Sequence, residues 1–490
     1  MSEQQRLILA LLLCVMYITW VAVKIARHCR NQYAERQAAH SQVIVAYASQ
    51  TGNARALAEQ HAQRLQQTSE VTLLPFSALT PHSLADCRRA LFVASTYGQG
   101  EPPDNGRALA RRLAHLPASA LANLQFEVIA LGDSRYPDFC AFGKRLFALL
   151  SATGAQPLSP LTCLDHAKGE DGSHLDEASQ QVVTLILADQ KWLNPGSEHK
   201  LFSVILNALP EDLLWQAGDI LDVQPQHSHE HVAQWLADNA ISPPATLTIN
   251  GSPWQTTHWL ASRELLTIPA HHSSNAPVPA DKVAAYLSQL PALTSRSYTI
   301  ASLPGEQQLQ LIVRQARRDD GSLGITSGWL TENAAPGTAI TAKLHANPDC
   351  HLALLPAPLL LIGAGSGLAG IRAQYHQFVQ AGHHHGMTIV YGEREPDCDN
   401  VLEAQLGPPT DNEHRYTVFS RDPVHPAYVQ DKLSDLAGEL HQLVKNNGQI
   451  YVCGSYAGMG QAVHNTLIAL LGETTVQALI DSHRYHRDIY

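Results

Sequence analysis

From Gln42 onward, short runs of aliphatic and β-branched residues alternate with longer stretches in which apolar positions recur every three or four residues. That alternation marks a parallel sheet with crossover helices, because strands covered on both faces read as continuous apolar runs. The runs Val43–Tyr47, Val71–Phe76, Ala90–Thr96 and Phe126–Leu131, with a weaker one over Pro157–Leu161, predict five strands. Five strands in roughly 150 residues predict a doubly wound sheet whose ligand sits beyond the strand carboxyl ends, where strand order reverses. A Pro/Gly/Ser break at Asn194–Ser197 reads as a linker. Beyond it, His199–Val223 and Ser297–Gln315 are strand-rich, separated by a segment with two helical patterns and the proline- and histidine-rich stretch His271–Pro279. This predicts a β-barrel carrying a short helical insertion. From Leu359 the strand–helix alternation returns, predicting a second nucleotide-type α/β domain.

The N-terminus breaks the globular pattern. Leu7–Val23 carries no charge, and with Lys24 snorkelling it extends through Ala26, which reaches the roughly 20 residues needed to span a bilayer core. No small-residue cleavage pattern follows, so the run predicts an uncleaved transmembrane helix. Lys24, Arg27 and Arg30 follow it while Arg6 alone precedes it, an asymmetry that predicts a single-pass membrane anchor with the remaining domains on the cytoplasmic side. The expected domains are an anchor and juxtamembrane segment over 1–40, a first α/β domain over 41–192, a barrel with its insertion over 193–355, and a second α/β domain over 356–490.

Composition narrows the function classes. The 490 residues suffice for about three cores. With 33 Lys+Arg against 44 Asp+Glu, the net charge of −11 argues against a nucleic-acid partner, which selects a basic face. The 8 cysteines show no C-x-x-C spacing, so neither a disulfide framework nor a metal site is expected. His383-His384-His385 lacks ligand spacing, because consecutive side chains point apart.

Three loops carry candidate chemistry at one sheet edge. Ser49-Gln50-Thr51-Gly52-Asn53-Ala54 follows the first strand and opens a helix, offering hydroxyls and free N-terminal N–H groups to a phosphate. It has no lysine of the kind that triphosphate loops use, which favours a monophosphate. Ser95-Thr96-Tyr97-Gly98 follows the third strand, and Leu131-Gly132-Asp133 with Tyr136 follows the fourth. Two tyrosines flanking one site suit a planar heterocycle. Further on, Arg296 offers a bidentate fork for phosphate, Gly324-Ile325-Thr326-Ser327 opens a helix, and Gly365-Ser366-Gly367 makes a strand-to-helix glycine turn.

These loops, in this order, resemble the diflavin reductase family, including its sulfite-reductase-type and cytochrome-reductase-type flavoproteins. The resemblance implies a flavodoxin-like FMN domain followed by a ferredoxin-NADP-reductase-like module, itself an FAD-binding barrel joined to an NADPH-binding domain. It implies that the first three loops, with Phe139, hold FMN. Arg296-Ser297-Tyr298-Thr299, Val313 and Gly324–Ser327 are then implied to hold FAD, with Tyr490 covering the flavin. Gly365, Ser366, Gly367, Ser420, Arg421, Tyr428, Gln430 and Cys453 are implied to hold NADPH, an arginine at the ribose 2′-position favouring it over NADH. Thr299, Cys453 and Asp488 are implied as the catalytic trio, with Tyr490 as the gate that admits nicotinamide. Departures lie in the nucleotide pocket: Pro426 stands where a lysine is usual, Ser455 and Ala462 where aspartates are usual, and Gly370-Ile371 where proline-phenylalanine is usual. The implied activity is electron transfer from NADPH through FAD and FMN to a one-electron acceptor. Sulfite reductase haemoprotein fits the motifs, while a membrane haemoprotein or a ferric chelate at a bacterial inner membrane fits the expected anchor. A flavin-binding regulatory or scaffold protein without turnover is the alternative.

Overall fold

The computed structural model describes residues 43–49, 53–67, 69–96, 100–134, 137–165, 182–207, 210, 213–239, 241–249, 252–265, 280–318, 320–382, 386–410 and 412–490. They fall into two compact units, Met1–Leu175 and Asp176–Tyr490.

In the first unit, β1 (Val43–Ala48), β2 (Val71–Pro75), β3 (Arg89–Ser95), β4 (Gln125–Gly132) and β5 (Gln156–Pro157) form a parallel sheet in the order β2-β1-β3-β4-β5. That order is the flavodoxin-like one. Helices α1 (Asn53–Gln66), α2 (Asp104–Ala114) and α3 (Ala141–Ala152) supply the crossovers. Two apolar cores form, one on each face of the sheet: Ile44, Phe92, Phe126 and Phe142 pack on one side and Val45, Leu57, Leu91 and Val93 on the other. Sheet residues buried on both faces explain why these strands read as unbroken apolar runs. The fifth strand differs from expectation. Pro157 and Pro160 lack the N–H that a ladder needs, so the run ends at Pro157 and pairing with β4 resumes in β6 (Thr162–Asp165).

The second unit opens with β7 (Val182–Trp192), β8 (Leu201–Asn207) and β9 (Ile220–Val223), followed after an insertion by β12 (Arg296–Thr299), β13 (Leu309–Arg314) and β14 (Ala339–His345). They form an antiparallel sheet in the order β12-β9-β14-β7-β8-β13, and a bridge between Ile300 and Leu311 joins its two edge strands into a barrel. Asn194–Ser197, expected as a linker, is instead the turn of the β7–β8 hairpin. Asn194 locks that turn: its Oδ1 accepts from Trp192 Nε1 and Leu201 N, and its Nδ2 donates to the His199 carbonyl and to Asp399 Oδ1. The insertion contains α4 (His229–Asp238), a hairpin of β10 (Thr246–Ile249) and β11 (Ser252–Gln255), α5 (Thr256–Ala261) and α6 (Ala280–Ser288). Two helices were expected; the unforeseen hairpin and third helix share a separate apolar core with Trp235, Leu247 and Trp259.

The rest of the unit is a parallel sheet in the order β17-β16-β15-β18-β19, made of β15 (Leu359–Ala364), β16 (Met387–Glu393), β17 (Glu413–Phe419), β18 (Gln449–Gly454) and β19 (Tyr485–Ile489). The helix after β15, α8 (Leu368–Gln380), begins at the glycine turn. Between β13 and β14 lies the one-turn helix α7 (Ile325–Gly328). Past β17, α9 (Val429–Asp435) starts at Tyr428.

The membrane-spanning part of the expected fold needs correction. Among the described residues no helix is long and apolar enough to cross a membrane. The longest helix among the described residues, α1, has 14 residues, about 21 Å against a ~30 Å hydrocarbon core. The Leu7–Val23 run behind that expectation lies outside the described residues. The transmembrane helix, and with it the single-pass, membrane-anchored localisation, is withdrawn; the flavodoxin-like and reductase-like modules stand.

Candidate functional site

In the first unit, the loops beyond β1, β3 and β4 meet at the carboxyl edge of the sheet, as the strand order requires. Ser95 Oγ donates to the Ala48 carbonyl at 3.0 Å, and Thr96 N donates to the Leu131 carbonyl at 2.9 Å. These bonds tie the three loop bases together. Ser49 N donates to Asn105 Oδ1 at 3.3 Å, while the Ser49 hydroxyl, in a residue only 4% exposed, has no partner among the described residues. A buried hydroxyl without a partner is costly, and a phosphate oxygen at this position would satisfy it. Asn53 and the fully buried Ala54 begin α1. Gly132 is a glycine for reasons of space: a Cβ there would lie 2.7 Å from Cys140 N and 3.0 Å from the Phe139 ring. Asp133 is half-buried, and Ser134 N donates to Asp165 Oδ1 at 3.0 Å, which pins the start of the third loop. Gln50, Thr51, Gly52, Tyr97, Gly98 and Tyr136 lie outside the described residues, as does His383–His385.

In the second unit, a cavity of about 1190 Å³ brings Tyr298 and Thr299 of the barrel together with Ser366, Arg421, Tyr428 and Tyr490. Beneath it lies a buried polar cluster. Thr299 Oγ1 donates to Asp488 Oδ2 at 2.7 Å, Tyr451 OH donates to the same oxygen at 2.9 Å, and Cys453 Sγ lies 3.5 Å from it. Parallel pairing of β18 with β19 sets Cys453 opposite Asp488, and Tyr451 shares the face of Cys453 because strand side chains alternate. Burial pushes the Asp488 carboxyl above the ordinary carboxylate range, with the three donors pulling the other way. Burial, then the Asp488 charge, pushes the Cys453 thiol well up. The three residues expected as a trio therefore meet; Tyr451, the fourth member, was not foreseen.

Tyr490 is 54% exposed and lies over the glycine turn, its hydroxyl donating to Ser366 Oγ at 2.7 Å and its N–H to the Gly454 carbonyl at 3.1 Å. A Cβ on Gly367 would sit 2.0 Å from the Cys453 carbonyl oxygen, so glycine there lets α8 start against β18. At Gly365, with φ +56°, a Cβ would overlap the Arg314 guanidinium. Arg314 reaches this point from the barrel strand β13, lines the cavity, and stands 3.7 Å from the buried Glu393. Burial pushes the Glu393 carboxyl up to about 7. Val313, expected to touch the flavin, is fully buried with its side chain in the barrel core. Of the flanking residues, Ser297 Oγ donates to Asp222 Oδ1 at 2.5 Å, and Arg296 is exposed beside it. Gly324 caps α7, Ile325 and Thr326 follow it, and Ser327 Oγ accepts from Ala316 N at 3.0 Å.

At the opposite end of the cavity, Ser420 N and Arg421 N donate to the carbonyls of Glu393 and Arg394, at 2.9 and 2.7 Å. Arg421 Nη1 pairs with Glu395 at 2.9 Å. Tyr428 is largely exposed, and the buried Gln430 Oε1 has no partner among the described residues. A cavity of this size with hydroxyls, an aromatic lid, a glycine turn and unsatisfied amide oxygen fits a dinucleotide. His199 and Arg394, which also line it, were missed; neither sits in a local motif that marks it.

Comparison with known proteins agrees with this division. Residues 45–178 match the flavodoxin family model, and residues 361–465 match the oxidoreductase NAD-binding domain model. The chain is 26% identical to the sulfite reductase (NADPH) flavoprotein alpha-component of Shewanella sp. (strain ANA-3), over 91% of this chain and 89% of that protein. It is also 26% identical to the proteins of that name from Bacillus subtilis (strain 168), over 92% and 90% of the two chains, and Neisseria meningitidis (serogroup C, strain FAM18), over 91% and 89%. The flavodoxin match, the NAD-binding match and relatives aligned along nearly the whole chain agree with the architecture seen in the two units: the chain is similar throughout to the diflavin reductase family and is a flavoprotein oxidoreductase.

Proposed function

We propose that the protein takes electrons from NADPH and passes them through FAD and FMN to the haemoprotein component of a sulfite reductase. FMN belongs to the first unit, held by Ser49–Ala54, Ser95–Gly98, Leu131–Asp133, Tyr136 and Phe139. FAD and NADPH belong to the second, with the residues named above around its cavity. The expected domain over 356–490 remains part of this reading; the bound between 41–192 and 193–355 does not, because β7 (Val182–Trp192) pairs within the barrel sheet. When bound, the flavins supply what side chains cannot: they accept a hydride from nicotinamide and release electrons singly to a one-electron centre.

The observation that carries the reading is the Thr299–Asp488–Cys453 cluster beneath a cavity lidded by Tyr490. Thr299 both lines the cavity and bonds Asp488. Asp488 thereby holds a negative charge one residue behind the cavity wall, where it favours positive charge developing on a nicotinamide ring. Tyr490 lies over the glycine turn, and its one side-chain hydrogen bond, to Ser366, is one that a nucleotide phosphate can replace, so the ring can move without breaking the core. Glycine at 365 and 367 lets backbone approach the nucleotide closely.

The acceptor is tested by stopped-flow reoxidation of the NADPH-reduced, full-length holoprotein. Sulfite reductase haemoprotein, a soluble cytochrome and a ferric chelate are compared at matched concentration. Transfer should be fastest to the sulfite reductase haemoprotein; transfer to either other acceptor at an equal or higher rate overturns the assignment. Absence of flavin bleaching by NADPH under anaerobic conditions would make the protein a flavin-binding module without turnover.

A further inference from the structure

The far end of the cavity carries a charge arrangement that the residues considered so far leave unexplained. Three basic groups meet there from three segments, His199 from the β7–β8 turn, Arg394 just past β16 and Arg421 just past β17, and Arg314 of β13, whose guanidinium abuts Gly365, acts on them electrostatically. The carboxylates nearby are already engaged. Glu395 pairs with Arg421 at 2.9 Å, and the buried Glu393 faces Arg314 and accepts from Tyr391 OH at 2.6 Å. Arg394 is different: among the described residues its guanidinium forms no ion pair, and its side-chain bond is from Nη1 to His199 Nε2 at 2.5 Å. An arginine is always protonated, so His199 Nε2 must be the acceptor and the imidazole neutral. A cation resting on a neutral ring, with Arg314 and Arg421 pushing against it and Glu393 and Asp399 offsetting them only from the side, is a place where an added anion gains several cationic partners at once.

His199 is also placed with care. Its carbonyl accepts from Asn194 Nδ2 at 3.1 Å and its N–H donates to Ser197 Oγ at 3.2 Å, so the locked hairpin turn sets the ring against Arg394. The groups facing it are Arg394, Arg314 and Arg421 from the strands around it, Glu198 on its own segment, and Glu395 beyond β16. Burial and the three arginines hold the ring below the ordinary histidine range.

We propose that Arg394 and His199 complete, with Arg421, the pocket for the 2′-phosphate of the nucleotide, and that His199 takes up a proton as the phosphate binds. This rests on NADPH being the electron donor. A phosphate dianion among these groups reverses the local field. The imidazolium becomes favoured, and the ring changes from accepting Arg394's hydrogen to donating to a phosphate oxygen. Binding through His199 then strengthens as pH falls between the free and bound values of its pKa. The phosphate's own second ionisation, near pH ~6, works in the opposite direction. The informative quantity is therefore the difference between the parent protein and His199→Gln.

The probe is adenosine 2′-monophosphate, titrated calorimetrically into the full-length holoprotein in two buffers of different ionisation enthalpy. The parent should take up more protons on binding than His199→Gln. Arg394→Gln should bind the probe about tenfold or more weakly, and should lower the NADPH/NADH ratio of kcat/KM by a similar factor, chiefly through KM. Arg394→Lys should recover part of the loss. Equal proton uptake in parent and His199→Gln overturns the switch. Parent-like affinity in Arg394→Gln while Arg421→Gln is weakened overturns the Arg394 assignment and leaves NADPH as donor. Failure of the parent to bind the probe, with NADH serving as well as NADPH, removes the donor assignment and this proposal together.

Discussion

Asp488 gives the sharpest test of how the cavity floor works, because one carboxylate oxygen receives Thr299, Tyr451 and Cys453 together. Two substitutions separate its charge from its shape. Asp488→Ala leaves two buried hydroxyls without an acceptor, at about 1–3 kcal/mol each, so roughly 2–6 kcal/mol of stability should be lost. Asp488→Asn keeps an acceptor oxygen in reach and removes only the charge. Burial raises this carboxyl pKa in the fold, so its contribution is fully present below the unfolded pKa and is lost as pH rises through the folded one. Asp488→Asn should then be at least as stable as the parent at neutral pH. Its flavin reduction by NADPH should nonetheless be slower by about 10²–10³, the scale for removing one preorganised electrostatic group. Urea unfolding of the holoprotein gives the first quantity and anaerobic stopped-flow flavin bleaching the second. If Asp488→Ala were as stable as Asp488→Asn, the bonds would not be holding the floor. If Asp488→Asn reduced flavin at the parent rate, the charge would have no part in the chemistry.

Two further outcomes follow from close contacts and burial. Gly132→Ala pushes a methyl group against Cys140 N and the Phe139 ring, so the third loop must shift; extraction and chromatography should show FMN lost while FAD is retained. Glu393 has a folded pKa of about 7 against roughly 4.3 unfolded; its contribution is present below about 4.5 and lost as pH rises through 7. The thermal midpoint of Glu393→Gln should therefore decline less than the parent's between about pH 5 and pH 8, and parallel curves would show that Arg314 already neutralises the carboxylate's cost.

What was legible in the chain was whatever one segment states by itself. Both parallel sheets showed as apolar runs, and Gly365 and Gly367 announced a turn that backbone approaches closely. What was illegible depends on partners far along the chain. Arg314 works against Gly365, some fifty positions away, and His199 against Arg394, nearly two hundred away, so no local pattern marks either. Val313 and Arg314 show what a period of two does to neighbours: strand alternation turns the Val313 side chain into the barrel core and the Arg314 side chain into the cavity. The same period of two was the missed signal for Tyr451, two residues before Cys453. The N-terminal run shows the limit of hydropathy: apolar length licenses a span without establishing one.

The guanidinium of Arg314 fills the volume that a side chain at 365 would need, although Arg314 belongs to the barrel sheet and Gly365 to the turn that leaves β15 of the parallel sheet. Neither position is then free to diverge alone. Any larger residue at 365 requires a shorter one at 314, and the two should change in concert across natural variants. For protein engineers, the seam at which this reductase could be recombined with a relative does not lie between barrel and nucleotide sheet. A chimera cut there inherits a turn shaped for an arginine it lacks, or an arginine with nowhere to rest; a donor fragment reaching back through β13 carries lock and key as one heritable piece.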